Sequence, residues 1–216
     1  CGSEEPAVKA LIYVQHLLGI GHLARVSRIA AGLSAAGTDV TMVSGGAPVA
    51  GFPDAPVKLV QLPPIRSRDT SFSELIDAED RPLSDAFKAL RRDRLLSAFE
   101  TARPDVLITE AFPFGRRQMR FEVIPLLERA KAQPHPPIIA SSVRDILQDN
   151  RKPGRAEETL GLIERFFDLV LVHGDPGFAR LEDTFPLARR IAERIAYTGL
   201  VAAGEHPNPV PYSDVV

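Results

Sequence analysis

From Leu11 to Gly46 the chain reads LIYVQHLLGIGHLARVSRIAAGLSAAGTDVTMVSGG: an apolar run, a loop bearing two glycines, an amphipathic stretch and a second apolar run. Leu11 to Val14 has no polar interruption, as a strand buried on both faces of a parallel sheet requires. Leu23, Val26, Ile29, Ala30 and Leu33 recur at helical spacing, while Arg25, Arg28 and Ser34 fall on the other side, so the spacing predicts a helix with one packed and one solvated face. Gly37 stands where a left-handed C-cap would end that helix. Val40 to Val43 is the next strand, closed by Ser44-Gly45-Gly46. A β-loop-α-β unit of this kind commits the chain to a parallel sheet sandwiched between helices.

The loop Gly19-Ile20-Gly21-His22-Leu23-Ala24 formally fits G-x-G-x-x-A, the pattern in which backbone N–H groups at a helix start receive a pyrophosphate. Two features argue against a dinucleotide. Gln15 to Leu18 lengthen the path from strand to glycines, and the second strand ends in Ser44-Gly45-Gly46 where a carboxylate should hold the ribose. His22, at the first turn of the helix, fits two roles: a residue that caps the helix or bonds a neighbouring carbonyl, or a general base.

The remaining composition narrows the field. With 216 residues, 44% hydrophobic and 25% charged, the chain can bury a sizeable core, and one large domain is expected. A net charge of −2 supplies no basic field, so a nucleic-acid partner is not expected. Arg91, Arg92 and Arg94 are expected on the solvated face of a helix. No run is long enough to span a membrane and no charged-then-apolar leader opens the chain, so a cytoplasmic location is expected, compatible with peripheral membrane contact. Cys1 is the only cysteine, which excludes an internal disulfide and a thiolate zinc site. Cys1-Gly2-Ser3 is expected to mark a truncation point rather than a processed lipid-bearing terminus.

Further strands are expected at 57–62, 105–109, 138–141, 169–172 and 195–198. Ile65 to Arg81 shows no clear period and is expected to be a surface loop. Ser84-Asp85 caps a helix with Phe87, Leu90, Leu95, Ala98 and Phe99 as its core stripe. A second helix carries Met119, Val123, Leu126 and Leu127, with Pro125 expected to kink it, and a third runs from Glu157 to Phe167. Residues 1–201 form the domain, and 202–216, rich in proline, read as the start of a linker.

Alternating strands and helices define an α/β fold, a doubly wound Rossmann-like parallel sheet of about seven strands. Ligands of such sheets bind beyond the carboxyl ends of the strands. That rule gathers Gly19, Gly21 and His22 after the first strand, Glu110 and Phe114 after the fourth, Ser142 and Arg144 after the fifth, and His173 and Asp175 after the sixth. Ser142 and Arg144 fit either an acceptor or phosphate contact or the cap of the next helix. Phe112 and Phe114 fit either an apolar wall or core packing beneath the turn. His173 and Asp175 are two candidate ligands without a third, so no metal site is expected, and they are taken as cleft-lining.

The segments QHLLGIGHLARVSRIAAGL, ITEAFPFGRRQMRFEVIPLLE, LVLVHGDPGF and AYTGLV resemble the N-terminal half of GT-B-fold glycosyltransferases, and in particular bacterial predicted glycosyltransferases related to the N-acetylglucosamine transferase of peptidoglycan assembly. The resemblance implies a two-domain enzyme whose N-terminal domain binds the acceptor. The nucleotide-sugar donor, a UDP-sugar by the same token, would sit mainly on a C-terminal domain, and the acceptor would be a sugar or a lipid-linked molecule. It implies His22 as the base that deprotonates the acceptor hydroxyl and Glu110 as the acid that orients it, with Arg25 among the substrate-binding residues and no metal or other cofactor. Plant relatives usually carry Asp where this chain has Glu110, and the longer glycine motif of the peptidoglycan enzyme is absent, which leaves the acceptor open. Histidine suits the role because a sugar hydroxyl is a weak nucleophile and imidazole titrates near neutrality.

Two alternatives share these features: a nucleotide-sugar 2-epimerase, which uses a similar two-domain cleft, and a non-catalytic nucleotide-binding module. Because the second strand lacks the ribose acid and the first loop is long, NAD, NADP and FAD are not expected to bind the chain. Fluorescence titration should show no saturable binding, and a stoichiometric nicotinamide or flavin would restore the dinucleotide reading.

Overall fold

The computed structural model describes residues 7–53, 56–69, 74–147 and 153–202; the expected linker lies outside them from residue 203 onward. The chain begins with β1 (Lys9–Val14), α1 (Gly21–Ala35), β2 (Asp39–Ser44) and β3 (Lys58–Gln61). A short pair, β4 (Arg66–Ser67) and β5 (Leu75–Ile76), precedes α2 (Asp85–Ala102) and β6 (Val106–Glu110). Then come α3 (Arg120–Lys131), β7 (Ile138–Arg144), α4 (Arg155–Phe166), β8 (Leu169–His173), α5 (Leu181–Thr184) and β9 (Ile195–Tyr197). Every expected strand is present.

Seven strands form one sheet in the order β3-β2-β1-β6-β7-β8-β9, all pairs parallel. The chain winds outward from β1 to β3, returns across the sheet, and winds the other way from β6. Because crossovers are right-handed, this reversal places α1 on one face and α2, α3 and α4 on the other. The core divides accordingly. Leu11, Tyr13, Leu107, Val143 and Val172 pack with Leu95, Phe99, Leu126 and Ile163, while Ile12, Val14, Met42 and Ile108 pack with Leu23, Val26 and Ala30. The reversal falls between β1 and β6, and in such sheets ligands bind beyond the carboxyl ends of the strands at that point.

Helix α1 ends as its sequence predicts. Gly37 has φ of 88°, Gly37 N–H donates to Ser34 O and Thr38 N–H to Leu33 O, a Schellman closure that only a residue tolerant of the left-handed region makes cheaply. At α2, Ser84 Oγ accepts from Phe87 N–H, so the expected cap is there. The expected stripe holds at Phe87, Leu95, Ala98 and Phe99 and fails at Leu90. Leu90 is 45% exposed, and the buried position belongs to Arg91, which is wholly inaccessible.

Arg91, expected in solvent, is instead held by a ring of acceptors. Its Nε donates to Glu122 Oε2 at 2.8 Å and its Nη2 to Glu122 Oε1 at 2.6 Å and to Gln15 Oε1 at 2.9 Å. Nη1 donates to Gly45 O at 2.9 Å and to Pro63 O. Tyr13 Oη donates to Glu122 as well, and burial with the adjacent Glu122 charge holds its phenol protonated, well above the usual range. A wholly buried charge survives only when fully hydrogen-bonded, and here every guanidinium nitrogen has a partner.

One further expectation is corrected. The segment Ile65–Arg81 is not a bare loop: β4 and β5 pair antiparallel, Ile65 and Ile76 are buried, and Asp77 accepts from the N–H groups of Glu79 and Arg81. The helix that carries Pro125 runs unbroken from Arg120 to Lys131.

Removing one member of the buried pair strands the other. Arg91→Ala should therefore cost about 3–5 kcal/mol of stability, whereas Arg91→Met combined with Glu122→Leu should cost much less. Urea denaturation of the three proteins checks the order.

Candidate active site

Glu110 closes β6 and is 1% exposed. His22 lies in the first turn of α1, beyond β1, so the switch in winding direction brings the two ends together. His22 Nδ1 is 2.9 Å from Glu110 Oε1, and Arg25, one turn along α1, donates from Nη2 to the same oxygen. Arg25, expected on the solvated face, therefore reaches inward to the carboxylate. Glu110 Oε2 accepts from Ser142 Oγ, which follows from register, since Glu110 and Ser142 are paired across β6 and β7. Ser142 Oγ is in turn 2.9 Å from His173 Nε2 at the end of β8, and His173 Nδ1 is 2.7 Å from Thr198 Oγ1 after β9.

Burial alone would push the Glu110 carboxyl up. The hydrogen bond from His22, the charge of Arg25 and the hydrogen bond from Ser142 outweigh it and hold the group below the usual carboxylate range. Ionised Glu110 accepts only, so the Nδ1 of His22 carries the proton. The other ring nitrogen, Nε2, is left with a free lone pair on a side chain that is 30% exposed. A partly exposed imidazole held at one nitrogen by a buried carboxylate has its other nitrogen placed where it could accept a proton.

The remaining candidates separate. Gly19 and Gly21 are exposed, and a Cβ at either would meet nothing within 4 Å, so neither is demanded by packing and the space before α1 is open. Ser142 is wholly buried and His173 is 7% exposed; both bond within the cluster rather than presenting themselves to a ligand. Arg144 is exposed at the end of β7. Asp175 builds a local turn, its Oδ1 accepting from Gly177 N–H at 2.8 Å. Phe112 cannot form an acceptor wall, because it lies wholly inside the core, with its carbonyl accepting from Thr109 and Ser141. Phe114 is half-buried, edge-on to Phe185 with ring centroids 5.3 Å apart. Among the described residues no three His, Cys, Asp or Glu side chains form a group that could hold a metal ion.

Three contributors escaped the sequence reading. Thr198 was placed in a strand and given no role, although the strand-end rule covers it. Arg116, in the left-handed region with φ of 55°, donates from Nε to Gln15 O at 2.8 Å and braces the loop after β1. His16 packs its ring directly over Gly46 and bonds Ala47 O through Nε2 at 2.9 Å.

No protein-family model matches the chain. Solved structures do. The calicheamicin glycosyltransferase CalG4 aligns over 94% of this chain and 56% of its own, at 12% identity and a TM-score of 0.51. UGT2 of Phytolacca americana, complexed with UDP-2-fluoro-glucose and pterostilbene, aligns over 94% of this chain and 56% of its own, at 14% identity and a TM-score of 0.52. UDP-N-acetylglucosamine 2-epimerase from Rickettsia bellii aligns over 91% of this chain and 46% of its own, at 12% identity and a TM-score of 0.53. The likeness is one of fold: a Rossmann-like α/β domain of the GT-B kind with a seven-stranded parallel sheet. The chain spans about half the length of the structures it matches. Among the described residues no helix is long and apolar enough to cross a membrane.

The depressed Glu110 pKa gives the site a pH signature. A carboxyl lowered on folding contributes stability that is present above its unfolded pKa, about 4.3, and is lost as pH falls through the folded value. Glu110→Gln should therefore destabilise most at neutral pH and progressively less below about pH 4, read from thermal midpoints across pH.

Proposed function

We propose that this chain is the acceptor-binding part of a glycosyltransferase that moves a sugar from a nucleotide-sugar donor to an acceptor hydroxyl. The observation that carries the reading is the 2.9 Å contact between His22 Nδ1 and the buried Glu110 carboxylate. His22 Nε2 takes the acceptor proton as the acceptor oxygen bonds the anomeric carbon of the donor and the bond to the nucleoside diphosphate breaks. Glu110 remains ionised, holds the ring by one nitrogen and stabilises the imidazolium that forms. Arg25 donates to the same carboxylate oxygen and offsets the Glu110 charge. The open space before Gly19 and Gly21, with Arg144 at the next strand end, gives the acceptor an approach.

A UDP-sugar is the donor this reading favours, since UGT2 was solved with a UDP-sugar and the epimerase is named for one. Donor binding belongs mainly to a second domain, in keeping with the half-length match. The narrower kinship with the peptidoglycan transferase rests on the sequence segments alone. A sugar or lipid-linked acceptor, peripheral contact with a membrane and a cytoplasmic location belong to the same proposal, and no metal or other cofactor is required by it.

The epimerase likeness favours a second reading, in which the same domain serves inversion at C2 of UDP-N-acetylglucosamine. Incubating the intact enzyme with that nucleotide sugar and no acceptor separates the two, because only an epimerase inverts the sugar. For the transferase, His22→Ala in the intact enzyme should lower kcat roughly 10²- to 10⁴-fold, with Glu110→Gln losing less. Near-normal turnover by a folded His22→Ala enzyme would sink the assignment.

A further inference from the structure

Beyond the His22–Glu110 pair, the carboxyl ends of β7, β8 and β9 contribute polar side chains in single file. Ser142 bonds Glu110 Oε2, His173 bonds Ser142, and Thr198 bonds His173. Ser142 and His173 are both buried, so water does not compete for their hydrogen bonds.

The donors and acceptors along this file have one consistent assignment. Ionised Glu110 can only accept, so the single hydroxyl hydrogen of Ser142 points to Oε2. Ser142 Oγ must then accept from His173, which puts a proton on His173 Nε2. Burial disfavours the charged form of His173, leaving Nδ1 bare to accept from the Thr198 hydroxyl. The two carbonyls also near that hydroxyl, Val172 O and Gly199 O, lie farther off at 3.4 Å. Every donor in the file therefore points toward the carboxylate.

We infer that Ser142 and His173 are positioning residues for Glu110: together they fix its far oxygen, and so hold its near oxygen on His22 Nδ1. Without the Ser142 bond only Oε1 is held, and the carboxylate turns about its terminal torsion, which is intrinsically soft. His173 acts one step earlier, by occupying the lone pair of Ser142 so that its hydroxyl has a single orientation. The catalytic consequence rests on His22 being the base; the hydrogen-bond order does not.

Nitrogen-15 spectra of the histidine rings of this chain test the order directly, without donor or acceptor. His173 should be the Nε2–H tautomer and His22 the Nδ1–H tautomer. Ser142→Ala should turn His173 into a mixture of tautomers and shift the His22 ring signals, and His173→Gln, whose side-chain N–H can replace the imidazole Nε2–H, should leave His22 as it is. In the intact enzyme, Ser142→Ala and His173→Leu should each lower kcat about 10- to 100-fold with KM unchanged, and the double variant should lose no more than either. His173→Gln should recover most of the turnover. A bare Nε2 on His173, His22 signals indifferent to Ser142→Ala, or additive losses in the double variant would overturn the inference. Survival of turnover in His22→Ala, with the tautomers as stated, would overturn the general-base reading instead.

Discussion

The buried ion pair between Arg91 and Glu122 is the constraint on which the carboxyl edge of the sheet depends. Its members come from α2 and α3, the two helices that cover the centre of one face, and its remaining bonds reach the segments leaving β1, β2 and β3 through Gln15, Gly45 and Pro63. Burying charge is expensive, and the attraction within a pair offsets that cost only with near-complete hydrogen bonding. An apolar pair of the same volume could hold the helices together as well. It could not hold three loop exits in one register, because the backbone carbonyls of Gly45 and Pro63 and the side-chain oxygen of Gln15 all need donors. Gln15 then passes the constraint on: its side chain donates to His16 O and Ile65 O, and its carbonyl accepts from Arg116. The loop that leads to His22 is thereby fixed at its origin.

Glu110 shows the same physics used for a different end. Its charge is as deeply buried as that of Glu122, yet its partners are unequal: a guanidinium and an imidazole share one oxygen, and a hydroxyl takes the other. The Arg91 cluster is closed, with both charges inaccessible. The Glu110 cluster is not closed: the outer nitrogen of His22 belongs to a side chain that is 30% exposed, and the buried Nε of Arg25 has no hydrogen-bond partner.

Much of this was legible in the sequence. Runs such as Leu11–Val14 and Leu169–Val172 announced strands, Gly37 announced the end of α1, and the rule that ligands sit at strand ends put His22, Glu110, Ser142 and His173 on one edge before any distance was known. What the sequence hid was orientation. Arg91 read as solvated because its partner lies 31 residues away, and a helix wheel scores charge without knowing what faces it. Phe112 and Phe114 differ by two positions and have opposite fates, since the turn between them carries one ring inward and leaves the other at the margin. Arg25 looked wet for the same reason that Arg91 did. Ser142 became intelligible only with register, because its neighbour across the ladder is Glu110.

The glycines after β2 carry a consequence for the evolutionary range of the domain. A side chain at Gly45 would overlap Gln15 and Arg91, and one at Gly46 would overlap the ring of His16. Dinucleotide-binding relatives of this architecture keep their ribose-holding carboxylate near the end of the corresponding strand. Here that volume is already occupied by the bracing of the β1 loop. No single substitution could graft the missing carboxylate at either glycine, since adding even a methyl group there would first require the Arg91 cluster or the His16 ring to move. The arrangement that steadies the loop before His22 thus also fills the space that a side chain at either glycine would need.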